Sequence, residues 1–164
     1  MTSVASRPGP RSHHESFLQK WRRITWSDRV ILCEGMVFLS LSSLAITAMP
    51  SRIVQRTATW NSRRAVPSPQ ERLAILARTR WAVLACARRV PWRAVCYQQG
   101  LAAQWMLRRR GIPSVLYYGA APDEEKGLLV HVWVRDGEID VIGGEGAARF
   151  AVLATFPAQS DCNR

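Results

Sequence analysis

Apolar residues fill one long segment near the start of the chain. Residues 30–49, VILCEGMVFLSLSSLAITAM, begin at Val30 and end at Met49, and they are numerous enough to span a bilayer. Ser27 is the expected N-cap of this helix, and Pro50 is the expected stop. Glu34 would be costly within lipid, so the sequence favours a buried or partner-covered helix over a membrane span. Basic flanks leave peripheral membrane contact open.

The regions around this helix show little apolar pattern. Residues 1–16 are polar and contain two prolines, which predicts a disordered tail. Residues 17–67 are interpreted as the apolar helix followed by an irregular basic linker from residue 51 onward. A folded domain is then predicted over 68–157, and a second tail over 158–164.

A clear helix start follows the linker. In SPQE, Ser68 is the predicted N-cap, Pro69 the first helical residue and Glu71 the reciprocal capping carboxylate. The helix is expected to reach about Arg89 and to end before Pro91. Cys86 falls within its apolar pattern and is interpreted as a packing residue. The positions predicted to face the core are Leu73, Leu76, Ala77, Trp81, Leu84 and Ala85.

The second half of the chain changes from helical to strand periodicity. A further helix is predicted over 96–110, stopped by Gly111. SVLYYGAA then indicates a strand, and LLVHVWVRDGEIDVIGG indicates two strands around Asp136 and Gly137. Helices followed by a small antiparallel sheet are typical of the α+β class.

The hairpin places candidate polar residues on one face. A two-residue loop at Asp136 and Gly137 would make His131 and Asp140 diagonal neighbours, roughly 7–8 Å apart. A register change of one residue would remove this arrangement. The predicted core face carries Val130, Val132, Val134, Ile139 and Val141, and the other face carries His131, Trp133, Arg135, Glu138 and Asp140.

Composition narrows the function classes. The 164 residues carry a net charge of +11, almost all from arginine, which predicts attraction to acidic peptides, nucleic acid or anionic lipid. No helix-turn-helix, zinc finger or RNA-binding motif is present, so nucleic acid is not an expected partner. Four cysteines without a Cys-x-x-Cys pair argue against a zinc site, and no metal or cofactor is expected. No signal peptide is visible, which predicts the reducing cytoplasm.

Cys96 stands at the predicted start of a helix, where the helix dipole favours a thiolate. A nearby histidine would favour the thiolate further and later protonate a leaving amine, and a carboxylate would fix the histidine tautomer. Cys96, His131 and Asp140 form this candidate set. The spacing alone favours a packed cysteine and a structural histidine over this set, since only the fold can bring the two together.

Three stretches carry a family resemblance: RVPWRAVCYQQGLAAQWMLRRRGIPSVLYYG, HVWVRDGEIDVIGG and ARFAVLATF. Over about residues 71–157 the chain resembles the lasso-peptide leader peptidases, the maturation proteins B of lasso-peptide gene clusters. These include the C-terminal domain of the microcin-processing protein B and belong to the transglutaminase-like cysteine protease superfamily. The hydrophobic lead-in also resembles that family. Val132 and Tyr97 depart from it, standing where alanine and leucine are usual.

The resemblance implies a papain-like or transglutaminase-like core and a cysteine peptidase activity. By this resemblance Cys96 is the nucleophile, His131 is the general base and acid, and Asp140 is the third member, with Glu138 and Glu145 as fallbacks. The implied reaction is hydrolysis of the bond between leader and core in a ribosomally synthesised lasso-peptide precursor. The freed core N-terminus is then available for macrolactam formation.

The resemblance also implies partners. The first 70 residues lack the alternation of strands and turns expected of a leader-recognition domain, so a separate recognition protein is expected to deliver the precursor. An asparagine-synthetase-like cyclase is the second expected partner, and the apolar segment 30–49 is a candidate docking surface for either. Two other function classes stay open: a transglutaminase-like acyltransferase, and a non-enzymatic basic adaptor.

Overall fold

A computed structural model describes residues 25–59, 64–125 and 127–157; the predicted tails, 1–16 and 158–164, lie outside them. Helices come first and an antiparallel sheet follows, which confirms the predicted α+β class with an N-terminal apolar helix. The helices are α1 (Trp26–Ala48), α2 (Ser51–Thr59), α3 (Pro69–Ala87) and α4 (Cys96–Arg108). The strands are β1 (Val115–Asp123), β2 (Gly127–Asp136), β3 (Ile139–Ile142) and β4 (Ala151–Phe156), with a 3-10 turn at Ala147–Arg149.

The N-terminal helix begins earlier than predicted. Thr25, and not Ser27, is the N-cap, because its hydroxyl accepts a hydrogen bond from the N–H of Asp28 at 3.3 Å. By length and composition alone α1 could cross a membrane, with a mean hydropathy of 1.9 over a window that is 28% buried. Its buried side faces α3 and α4 through Ile31, Gly35, Leu39, Ser42 and Ala45.

The predicted irregular linker is wrong over residues 51–59, which form α2. Val54 and Ala58 lie one helical turn apart and are buried in the main core. In the sequence, so few apolar positions among basic residues did not indicate a helix. The same core contains residues of α1 and of the sheet, so the predicted division at residue 68 does not separate two cores.

The start of α3 follows the prediction, whereas its core face does so only in part. Ser68 and Glu71 form the capping box: the Ser68 N–H donates to the Glu71 carboxylate at 3.0 Å. Leu76, Ala85 and Cys86 are buried as expected, but Leu73 and Trp81 are 54% and 43% exposed. Ala77 is also exposed.

Where Gly35 of α1 approaches α3, the contact on α3 is made by the small residues Ala82 and Cys86. A Cβ added to Gly35 of α1 would lie 3.5 Å from the Cβ of Ala82 and 3.4 Å from the Cys86 sulfur. Large side chains therefore cannot occupy this contact, and they point outward instead. The burial of Cys86 confirms its interpretation as a packing residue.

The sheet has the order β3-β2-β1-β4, with every neighbouring pair antiparallel. The predicted hairpin loop is wrong by one residue, and this shifts the pairing partners of β2 on β3 by two residues. Asp136 pairs with Ile139 and Arg135 with Asp140, so the loop is Gly137 and Glu138. Asp136 is a strand residue because its buried carboxylate is held by Arg72 of α3, which donates two hydrogen bonds to it. The predicted diagonal arrangement of His131 and Asp140 does not form.

Both faces of the sheet bury apolar side chains. Val132, Val134 and Val141 face the helices as predicted, whereas Val130 and Ile139 are 39% and 42% exposed. The face predicted to be polar holds a second small core under the 3-10 turn. It consists of Ala121, Trp133, Ala147 and Phe150, with Tyr117 and Leu129 packed against it.

Candidate active site

Cys96 is the first residue of α4 and lies partly exposed against the main core. Two glutamines of the first turn fix this helix start. Gln98 accepts a hydrogen bond from the N–H of Val95 at 3.1 Å, and Gln99 donates to the carbonyl of Ala94 at 2.6 Å. The N–H groups of a first helical turn have no intrahelical partners, so they are available to a developing negative charge near Cys96.

His131 lies on β2 opposite Gly119 of β1. Its ring is held between Trp133, at a centroid distance of 5.9 Å, and Phe150, at 4.9 Å. A Cβ on Gly119 would lie 2.8 Å from the Trp133 ring, so this glycine leaves the space that Trp133 occupies. The aromatic neighbours restrict the imidazole to a narrow range of orientations.

A backbone carbonyl sets the tautomer of His131. Nε2 lies 2.7 Å from the carbonyl oxygen of Gly143. A carbonyl oxygen only accepts hydrogen bonds, so Nε2 carries the proton and donates it. In the neutral ring Nδ1 then has a free lone pair, which is what a general base requires.

One cavity joins the two predicted reactive residues. Its volume is about 320 Å³, and it opens where β3 ends and leaves the edge of β2 uncovered. Cys96 and His131 both line it, so the fold brings together residues that are distant in sequence. The remaining lining residues are Arg80, Leu84, Gln99, Val132, Ile142, Gly143 and Glu145.

Asp140 lies elsewhere than the predicted hairpin geometry placed it. Its Oδ1 accepts a hydrogen bond from Nε of Arg135 at 2.6 Å, and within the described part of the chain it makes no hydrogen bond to His131. The register change accounts for this, since it pairs Asp140 with Arg135. Its carboxylate instead packs against Gly144, where any added Cβ would collide with it.

The two glycines after β3 are required by local geometry. Gly143 has φ 72°, a conformation that L side chains rarely adopt, and an added Cβ would lie 2.7 Å from the carbonyl oxygen of Val132. At Gly144, the Asp140 carboxylate occupies the space that a Cβ would fill. Asp140 therefore contacts the segment whose carbonyl holds His131, and it reaches the imidazole only through that segment.

The two fallback carboxylates differ in place. Glu145 lines the cavity and forms an ion pair with Arg80, whose Nη1 also donates to the Val141 carbonyl at 3.0 Å. The hydrogen bond from Arg80 lowers the pKa of Glu145 below its ordinary value, and the nearby His131 contributes in the same direction. Glu138 is an exposed residue of the hairpin loop, away from the cavity lining.

Tyr97 follows the cysteine and packs against the main core. Burial, with a smaller contribution from Tyr118, raises the pKa of its phenol above the ordinary value. The phenol therefore stays protonated at neutral pH.

Sequence reasoning missed Arg80 and the Gly143 carbonyl. Arg80 belongs to a helix whose face was misassigned, and it ties α3 to β3 and to Glu145. A carbonyl carries no side-chain signal, although the paired glycines directly after a strand indicated an unusual backbone.

The comparison with known protein families identifies a superfamily that covers most of the chain. The description of the transglutaminase-like superfamily fits residues 37–155, from the middle of α1 to the end of β4. This superfamily indicates activity of the cysteine protease or acyltransferase type. Comparisons with curated proteins and with solved structures found no match.

Proposed function

Because the chain belongs to the transglutaminase-like superfamily, we propose that it is a cysteine peptidase that removes the leader from a lasso-peptide precursor. The observation that supports this most is the shared cavity of Cys96 and His131, with Nδ1 of the imidazole left as the basic nitrogen. The lasso-peptide substrate rests on the sequence resemblance around Cys96, His131 and the hairpin.

The first half of the proposed reaction is acylation. Nδ1 of His131 accepts the thiol proton of Cys96, and the sulfur attacks the carbonyl carbon of the bond between leader and core. The resulting oxyanion accepts hydrogen bonds from N–H groups of the first turn of α4, that of Cys96 among them. The protonated His131 then donates its proton to the leaving nitrogen, which becomes the amine of the core peptide.

The second half is hydrolysis of the thioester. His131 removes a proton from a water molecule as its oxygen attacks the thioester carbon. The C–S bond then breaks, the leader leaves with a free carboxylate, and the imidazolium returns its proton to the Cys96 sulfur. The Gly143 carbonyl holds the imidazole in one tautomer throughout, and Asp140 supports that carbonyl through Gly144. Glu145, paired with Arg80, places negative charge near the imidazolium that forms in both steps.

The proposal includes two partners. A separate leader-recognition protein presents the precursor, and an asparagine-synthetase-like cyclase uses the freed amine to close the macrolactam. The arginine-rich surface suits acidic positions of a leader peptide, because opposite charges accelerate encounter and fix orientation.

A cleavage assay tests the proposal. The protein, the precursor and the recognition protein are mixed, and product masses are measured for wild type, Cys96→Ala, His131→Ala and the control Cys33→Ala. Cys33 is an exposed cysteine of α1 outside the cavity lining. We expect the first two variants to lose at least about 10³-fold in rate and the control to keep full rate.

The same assay separates the alternatives. A leader product that gains the mass of an added amine instead of water would identify the acyltransferase reaction, which uses the same cysteine and histidine. A precursor that stays intact, and that Cys96→Ala binds as well as wild type, would contradict the enzyme proposal and favour a binding adaptor.

A further inference from the structure

The outer face of α1 is an uninterrupted apolar stripe. Between residues 30 and 44, every exposed position of this helix is apolar and follows helical spacing. The exposed fractions of four of these side chains are 52% for Val30, 55% for Val37, 46% for Leu41 and 60% for Leu44. The α1 stripe, so defined, consists of Trp26, Val30, Cys33, Val37, Leu41, Leu44 and Ala48.

A groove extends the α1 stripe at its C-terminal end. Leu41 and Leu44 belong to both, and the groove has a volume of about 590 Å³. Met49 and Ile53, each 46% exposed, continue the apolar surface onto the start of α2. A helix of 23 residues is roughly 34 Å long at 1.5 Å per residue, and the stripe extends along this whole length. Apolar side chains that are exposed singly would not form a continuous surface of this length.

The acidic residues of α1 are turned away from the stripe and neutralised. Glu34 forms ion pairs with Arg109 and Arg110 at the end of α4, and Asp28 forms one with Arg78 of α3. The carboxylate that argued against lipid contact is therefore directed at the protein.

Arginines border the α1 stripe on two sides. Arg109, with 52% of its side chain exposed, stands on one side over the Phe38 ring. On the other side is the turn between α3 and α4, which carries exposed Arg88 and Arg93 and is held to α1 by a hydrogen bond from Trp92 to Ser43 at 3.0 Å. An apolar strip with basic margins fits a surface that is apolar inside and negatively charged outside.

We propose that the α1 stripe docks this protein onto an anionic membrane surface, with α1 lying parallel to the membrane plane. The opposite side of α1 is fixed in the core through fully buried Leu39 and through the Ser42 hydroxyl, which donates to the Gln98 carbonyl at 3.0 Å. Crossing the bilayer would require α1 to give up these contacts, whereas lying on the surface keeps them. Pairing of two stripes in a dimer is disfavoured because it would bring together the basic margins of two chains of charge +11.

Vesicle binding tests this proposal with charge-matched variants. The full chain is sedimented with vesicles of phosphatidylcholine, with and without phosphatidylglycerol. The variant Leu41→Glu/Leu44→Glu alters the stripe, and Leu128→Glu/Leu153→Glu makes the same charge change at sheet positions that are 60% and 61% exposed. We expect wild type and the sheet variant to bind the anionic vesicles and the stripe variant to bind at least about tenfold more weakly. Equal loss in both variants, or no binding by wild type, would overturn the proposal.

A second measurement does not depend on those variants folding. Brominated lipid chains quench tryptophans that enter the membrane interface, and Trp26 is 77% exposed at one end of the stripe. We expect quenching of wild type and a clear decrease in Trp26→Phe. Unchanged quenching in Trp26→Phe, or a lipid-free dimer that the stripe variant abolishes, would contradict membrane docking.

Discussion

The cavity around Cys96 and the α1 stripe use opposite means of presenting a surface. In the cavity, polar side chains are fixed by specific interactions: His131 forms a hydrogen bond with the Gly143 carbonyl, and Arg80 forms an ion pair with Glu145. On the stripe, apolar side chains point outward, and no residue in the described ranges covers them. Orientation is needed where a proton moves between two atoms, whereas apolar docking is non-directional and needs only area.

Helix α1 itself allows the sharpest comparison, because one side is core and the other is the stripe. Leu39→Ala removes a fully buried side chain, and we expect a loss of about 2–5 kcal/mol in the free energy of unfolding. Leu44→Ala, on the 60% exposed side of the same helix, should change it by less than about 0.5 kcal/mol. Denaturant titrations of both variants measure this. Similar losses in the two variants would show that the stripe is covered in the isolated protein.

The activity should depend on the backbone conformation at the edge of the cavity. Gly143→Ala introduces a Cβ 2.7 Å from the Val132 carbonyl oxygen and so displaces the acceptor of the His131 hydrogen bond. We expect kcat to fall about 10²-fold, since misplacement by an ångström has that effect. Gly127→Ala is the matched control, because Gly127 also has a positive φ but no atom lies within 4 Å of an added Cβ. Equal losses in kcat would mean that backbone strain, and not the site, is responsible.

A smaller effect is expected at Asp140. If it acts only through Gly144, Asp140→Ala should lower kcat by roughly tenfold and leave the reactive pair in place. A fall of about 10⁴-fold is the size expected of a carboxylate bonded directly to the histidine, and it would return Asp140 to the triad. Glu145→Gln, measured beside it over a range of pH, shows whether the cavity carboxylate shifts the acid limb of the rate profile.

The sequence predicted most reliably those features that depend only on neighbouring residues. The Ser68 capping box lies within four residues, so its pattern indicated the helix start correctly. The hairpin turn was also found, but its register depends on Arg72, which is distant in sequence and holds Asp136 in the strand. The core face of α3 depends on close contact with Gly35 of α1, and this is again a non-local constraint.

The sequence predicted some of the residues that line the candidate site, but it did not predict how they are arranged. Cys96 and His131 were identifiable by resemblance, and the fold places both at one cavity. The acceptor of the His131 hydrogen bond is a main-chain carbonyl, which no side-chain pattern reveals. The predicted neighbours of Asp140 were wrong because the partners of β2 on β3 lie two residues further along the chain than the predicted loop would place them.

The most direct test of the account is the reactivity of the cysteines, because it requires no precursor. Iodoacetamide labelling followed by mass spectrometry is compared at pH 7 between wild type and His131→Gln. Burial raises the pKa of the Cys86 thiol, and its sulfur donates to the Leu32 carbonyl, so Cys86 should stay unlabelled. Cys96 should react faster than exposed Cys33 in wild type and should slow by about tenfold or more in His131→Gln. A Cys96 that reacts no faster than Cys33, at a rate unaffected by loss of His131, would contradict the pairing on which the proposed activity depends.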